Sequence, residues 1–327
     1  MTADWTWHGG ALDAAKRRFG QRDADWIDLS TGINPAAWPG ADDVAIDWRR
    51  LPESGAIAAL EAAAADVFGV DAQRVCAVPG TEIGLRLVGR MIGDAPGGGA
   101  HHMIPCYRTH GEMMPHSIAV PRDEAAATEG SLLLANPTNP DGHVTTADEM
   151  RRLGARDGWL MIDEAFADTD PAISMAPQVA DDRRLIVFRS FGKFFGLAGV
   201  RLGFVIAPGA ILDGLRAMLG AWPVSSGAIA IGTAAYRDSG WIAAMRAALP
   251  REAAGLDALL ARHGHVAIGR CPLFRLIETP HAAALFDRLA HSAILTRPFA
   301  ERPDWLRIGL PADAAAAARL DAALADG

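Results

Sequence analysis

Ser190-Phe-Gly-Lys193-Phe-Phe-Gly-Leu-Ala-Gly-Val-Arg201-Leu-Gly-Phe204 surrounds one lysine with apolar and glycine residues, between a hydroxyl and a guanidinium. No other charge lies between Ser190 and Arg201. Burial disfavours an ammonium ion, so a lysine in such a setting is expected to present a free amine able to attack an aldehyde. Ser190 and Arg201 are the residue types that hold a phosphate, one as a hydroxyl donor and the other as a bidentate cation. The stretch therefore suits a ligand that carries both an aldehyde and a phosphate.

Working outward, short apolar runs alternate with helical patterns from about residue 55 to residue 207. The runs are Val75–Val78, His101–Ile104, Ser131–Ala135, Trp159–Ile162, Leu185–Phe188 and Leu202–Ile206. Thr81 opens a helix that carries Ile83, Leu87 and Met91. Such alternation predicts an α/β fold, with a three-layer α/β/α large domain built on a mostly parallel sheet. Past about Gly240 the pattern changes to a helix over 243–263, a strand near Phe274–Ile277, a helix over 282–291, two short strands and an Ala-rich terminal helix, which predicts a small α+β domain. The expected division is an N-terminal arm over 1–40 that contributes to the small domain and the active site, a large domain over 41–237 and a small domain over 238–327.

The polar residues that stand out fall just after the apolar runs, where open α/β sheets bind ligands. Asp163 closes the run Trp159-Leu-Met-Ile162. Asn139 lies in the turn sequence Asn136-Pro-Thr-Asn139-Pro-Asp-Gly142. Gly80-Thr81-Glu82 starts a helix directly after a strand, so its backbone N–H groups and the helix dipole favour an anion. Tyr107, one of two tyrosines, follows another strand in Pro105-Cys-Tyr107.

With these residues in order, the chain resembles the aspartate-aminotransferase-like superfamily, enzymes of fold type I that use pyridoxal 5'-phosphate (PLP). Its signature S-x-x-K, with an arginine eight residues on, matches Ser190, Lys193 and Arg201. The resemblance implies that Lys193 forms an imine with the PLP aldehyde and that Gly80, Thr81, Glu82, Ser190 and Arg201 cup the phosphate. It also implies that Asp163 holds the pyridine nitrogen protonated, Asn139 binds the phenolic oxygen O3' and Tyr107 stacks on the ring. The fold usually works as a homodimer. Two departures stand out. Phe166 stands where most aminotransferases of this fold have a tyrosine hydroxyl on O3', which should raise the pKa of the cofactor imine. Leu51-Pro-Glu53 lacks the tyrosine that many relatives extend to the partner subunit's cofactor phosphate.

His8-Gly-Gly10, Asp28-Leu-Ser30-Thr-Gly-Ile-Asn34-Pro35 and Asp163-Glu-Ala-Phe166 are similar to the threonine-phosphate decarboxylase branch of that superfamily, which serves cobalamin biosynthesis. The similarity implies a phosphorylated amino acid substrate held by His8, Asn34, Arg297 and Arg307, with His8 on the substrate phosphate. Both arginines sit on short apolar runs, an awkward place for a cation unless it meets an anion. The same residues support an aminotransferase acting on histidinol phosphate or a related amino acid, and a ligand-binding protein without turnover is a third reading.

With 327 residues, half of them hydrophobic, the chain has enough material for a substantial core. A formal net charge of -8 without a basic face argues against a nucleic-acid partner. The apolar runs are too short for a membrane span and Met1–Gly10 is unlike a signal peptide, so a cytoplasmic protein is expected. Cys76, Cys106 and Cys271 are widely spaced, suggesting reduced and mostly buried thiols and no metal site. His101, His102, His110 and His116 form the one histidine cluster and are read as ordinary polar residues. Trp5, Trp7, Trp26, Trp38 and Trp48 crowd the first fifty residues, which predicts aromatic anchors on a partner subunit.

Overall fold

The computed structural model describes residues 8–20, 24–93 and 99–325. Trp5 and Trp7 lie outside the described residues. The chain divides into two compact units, one of residues 37–139 with 144–246, the other of 1–36 with 140–143 and 247–327.

The larger unit is organised by a seven-stranded sheet. Its strand order is Val75–Val78, Gly203–Ile206, Leu185–Ser190, Leu160–Asp163, Ser131–Ala135, Ala100–Ile104 and Ile118–Pro121. Neighbours pair in parallel except around Gly203–Ile206, which runs antiparallel to both of its partners. The connection after Ser190 explains the exception: it is taken up by the short turns Phe191–Phe194 and Ala198–Val200, leaving no room for a crossover helix. Strands such as Leu160–Asp163 are buried at every position, which is why they read as unbroken apolar runs rather than alternating ones. The edge strand Ile118–Pro121 escapes sequence reading because it is short, half polar in surroundings and ends in proline; Ile118 is 65% exposed. Cys76, Leu85, Val88, Leu133, Met161, Phe188 and Val205 form part of one buried cluster between this sheet and the helix Thr81–Gly93.

The smaller unit holds a four-stranded antiparallel sheet in the order Arg297–Pro298, Trp305–Gly309, Phe274–Glu278 and Ala267–Ile268. A two-residue strand near the N-terminus, Ile27–Asp28, pairs in parallel with Ile294–Leu295. Helices Ala282–His291 and Ala314–Ala325 bury Leu285, Leu289, Leu320 and Leu324. The longest helix, Ser239–Arg262, contains Pro250, and no helix among the described residues is long and apolar enough to cross a membrane.

The tryptophans are a correction to the sequence expectation. Trp26 and Trp38 are buried in their own chain, and the indole N–H of Trp38 donates to Asp238 Oδ2 at 3.0 Å, so neither is available as an anchor. Trp48 alone of the described three is exposed, at 72%. Burial wins because each large ring removes apolar area from water wherever its own core can take it.

Candidate active site

Five of the residues singled out by sequence lie around one turn of the larger unit. Strand Val75–Val78 ends at Gly80, whose φ of 93° is a left-handed backbone, and the helix Thr81–Gly93 begins at once. That φ is one L side chains rarely adopt, and a Cβ there would also stand 2.6 Å from Arg201 Nη2 and displace the guanidinium, so glycine suits this cradle. The first N–H groups of a helix have no partner within it, and the helix dipole adds positive potential there. Arg201 is also in a left-handed conformation, with φ 57° and ψ 55°, and donates to Ala198 O at 3.3 Å. Helix start, guanidinium and open cradle fit a phosphate.

The side chains around the turn have divided roles. Thr81 Oγ1 donates to Arg189 O at 3.1 Å, which commits its single hydroxyl proton to the neighbouring strand. Glu82 bonds Arg86 through Oε1 at 2.8 and 3.0 Å, so what it can offer an anion is its backbone N–H. Ser190 ends the strand Leu185–Ser190 and precedes the one-turn helix Phe191–Phe194, which bears Lys193. Lys193 is half-buried rather than fully enclosed, a correction to the sequence reading. Its neighbours take the interior: Phe191 stacks on Phe195 with centroids 4.6 Å apart, and Phe194 meets Trp241 edge-on at 5.5 Å. The aromatic residues anchor the turn in the interior, and Lys193 is the half-buried residue between them.

Asp163 ends the strand Leu160–Asp163, beside Ala135 on one side and Phe188 on the other. Its carboxylate Oδ1 accepts from Ala165 N at 3.0 Å, and Oδ2 lies 2.9 Å from Nε2 of His110, which is completely buried. His110 is therefore a residue that sequence reasoning missed as part of the site. The short helix His110–Met113 starts three residues after Tyr107, and this turn brings the imidazole edge-on to the tyrosine ring, with centroids 5.8 Å apart. The signal was the Tyr107–His110 spacing of one helical turn, but a four-residue helix leaves too short a pattern to read. Asn139 lies in the turn that follows Ser131–Ala135 and is half-buried. The turn is braced by Asn136, whose Oδ1 accepts from Thr145 N at 3.0 Å.

Burial alone would lower the pKa of His110, but its hydrogen bond to Asp163, aided by Cys106, outweighs that and pushes it up to about 9 from an ordinary 6.5. A histidine raised on folding adds stability that is complete below pH 6.5 and is lost as pH rises through about 9. The expected result is that the melting temperature of the wild-type protein, relative to His110→Gln, falls between neutral pH and pH 10 in the cofactor-free protein. A constant difference across that range would mean that the imidazole does not carry a proton.

Behind Asp163 and Ser190 lies a fully buried ionic cluster. Arg189 Nη1 donates to Glu164 Oε2 at 3.2 Å and to Ser174 Oγ at 3.0 Å, and Nη2 bonds Asp168. Glu164 also accepts from Met175 N at 2.6 Å. Burial opposes the charge on Arg189, but the carboxylates of Asp168 and Glu164 outweigh it and raise its pKa. Because Glu164 adjoins Asp163 and Arg189 adjoins Ser190, the cluster ties together the ends of two parallel strands that carry ligand-facing residue types. Breaking it by removing one partner should cost about 3–5 kcal/mol.

The smaller unit contains the second group of predicted residues. Arg297 and Arg307 are direct register partners on antiparallel strands, and both are buried. Their guanidinium carbons lie over the rings of Phe299 and Phe274, at 5.0 and 4.9 Å. Arg307 Nη2 donates to Ser30 O at 2.6 Å. Like charges opposite one another are destabilising in a sheet, and an anion between them would relieve that cost. Arg275 on the neighbouring strand bonds Asp257 through Nε at 2.5 Å and Nη2 at 3.0 Å. Asn34 is buried, with Oδ1 accepting from Ala36 N at 3.0 Å, and His8 is half-buried at the start of the described chain.

This geometry accords with comparisons to known proteins. The family model for aminotransferase class I and II matches residues 116–323, and the chain belongs to that family. Within it, the chain is 41% identical to a threonine-phosphate decarboxylase of Sinorhizobium sp, over 97% of each chain. It is also 41% identical to a threonine-phosphate decarboxylase of Pseudomonas aeruginosa, over 97% of this chain and 96% of the relative. The fold is that of the histidinol-phosphate aminotransferase of Sinorhizobium meliloti solved with pyridoxal-5'-phosphate, with a TM-score of 0.80 at 20% identity, covering 96% of this chain and 93% of that one.

Proposed function

We propose that this protein is a PLP-dependent carboxy-lyase that converts L-threonine O-3-phosphate to (R)-1-amino-2-propanol O-2-phosphate, a step of cobalamin biosynthesis. The observation that carries the reading is the pair of buried register partners Arg297 and Arg307, two cations for a substrate with a carboxylate and a phosphate. The 41% identity to two threonine-phosphate decarboxylases over nearly the whole chain supports it.

When bound, PLP supplies an aldehyde that bonds amines and a protonated ring that draws electrons from the substrate's Cα. The N–H groups after Gly80, with Thr81 and Glu82, would hold its phosphate together with Ser190 and Arg201. Asp163 would keep the proton on the pyridine nitrogen, and His110, 2.9 Å from its Oδ2, holds that carboxylate in place. Asn139 would donate to O3', and Tyr107 would cover one ring face. Lys193 offers the amine for the aldehyde and, once free, moves a proton to Cα. His8, Asn34, Arg297 and Arg307 would orient the substrate through its two anions, so that the bond to the carboxylate is the one that breaks. Phe166 is buried and brings no hydroxyl to O3'.

The same reading makes the protein a cytoplasmic homodimer. A phosphorylated substrate is charged and does not leave the cell unaided, and Trp48, Leu51 and Trp222 expose 72%, 63% and 57% of their surface on the larger unit. Incubation with PLP and L-threonine O-3-phosphate tests the reaction. Carbon dioxide release without any keto-acid acceptor is expected. Keto-acid formation that depends on 2-oxoglutarate would instead make it an aminotransferase, and spectral change without product would make it a binding protein.

A further inference from the structure

The His8-Gly-Gly10 segment and the Asp28-Leu-Ser30 segment meet at one completely buried residue, Ser30. Ser30 Oγ accepts from Gly10 N at 2.8 Å and donates to Asp28 Oδ1 at 2.5 Å, and the same carboxylate oxygen accepts from Ser30 N at 2.9 Å. On the other side of the residue, Ser30 O accepts from Arg307 Nη2 at 2.6 Å. That carbonyl also passes so close to Gly9 that a Cβ there would overlap it, which accounts for the glycine next to His8. The ledge itself is rigid: Leu29 N donates to Leu295 O at 2.7 Å, and Leu29 O accepts from Gly309 N at 2.7 Å.

We propose that Ser30 is a positioning residue that sets His8 and Arg307 as one unit for the doubly anionic substrate. It touches neither anion. Its hydroxyl fixes the backbone two residues after His8, and its carbonyl takes up one guanidinium nitrogen of Arg307, fixing where that guanidinium lies. Asp28 strengthens the arrangement by polarising the hydroxyl that Gly10 N bonds. The inference rests on the substrate reading proposed above, with His8 on the phosphate.

The test uses the PLP-loaded enzyme and titrates L-threonine O-3-phosphate, followed both by the bound cofactor's absorbance and by steady-state kinetics. Ser30→Ala removes the hydroxyl but keeps the carbonyl that Arg307 bonds. Its apparent Kd and KM should rise about tenfold, the equivalent of one well-placed hydrogen bond, with a smaller change in kcat. Binding of L-threonine, which has no phosphate, should change less than about twofold. The effect of His8→Ala should shrink in the Ser30→Ala background, because the arm is already unset. Unchanged phosphothreonine affinity, equal weakening for both ligands or additive effects of the two substitutions would overturn the proposal. Gly9→Ala, which pushes the arm away from the Ser30 carbonyl, should give the same pattern and serves if Ser30→Ala fails to fold. A wild-type enzyme that does not respond to phosphothreonine at all would instead remove the substrate reading, and the role of Ser30 with it.

Discussion

Lys193→Ala should lower turnover of L-threonine O-3-phosphate by at least about a thousandfold, because in the proposed function one side chain would supply both the amine for the aldehyde and the proton carrier. The substitution falls at the half-buried rim of the turn Phe191–Phe194, whose fixed positions are the buried Phe191 and Phe194. Folding should therefore be preserved, with a melting temperature close to that of the cofactor-free wild type. PLP should still bind weakly through the turn at Gly80 and Arg201, which the substitution leaves intact. Assays of carbon dioxide release, together with dialysis of added PLP, separate the two effects. Turnover within tenfold of wild type would place the reactive amine elsewhere.

Asp163→Asn should reduce kcat about a hundredfold while KM changes little, since in the proposed function the carboxylate would act on ring electronics and not on the substrate's anions. A second consequence follows from the contact with His110. The charge on the buried imidazole depends on the Asp163 carboxylate, and without it burial dominates and lowers the histidine pKa. The variant should then hold a neutral His110 at pH 7 and lose the decline in stability between pH 6.5 and 9 that this histidine contributes. Nitrogen NMR of labelled histidine reads the protonation directly. Wild-type kcat with an unchanged imidazolium signal would return Asp163 to a purely structural part.

Much of this molecule was legible in its sequence because the central strands of its sheet are buried on both faces. Runs such as Val75–Val78 and Leu160–Asp163 have no polar alternation to obscure them, and the residue types that suit PLP stand at their carboxyl ends. The reversed strand Gly203–Ile206 was less legible, since direction depends on whether the preceding connection has room for a crossover. His110 was missed because its partner lies 53 residues away, a pairing that only the crossing of strand ends creates. Ser30 had the same difficulty: the motif around it was visible, but its bonds reach back to Gly10 and forward to Arg307, across 277 residues. The ionic cluster of Glu164, Asp168 and Arg189 carried no local signature, because charged residues next to strand ends are more often solvated than enclosed.

The central claim is that one amine, Nζ of Lys193, carries the cofactor. Borohydride reduction of the PLP-loaded protein, followed by proteolysis and mass spectrometry, tests it most directly. The expected result is a single pyridoxyl adduct on the peptide that contains Lys193, absent from Lys193→Ala. An adduct on Lys16, or none at all, would contradict the account.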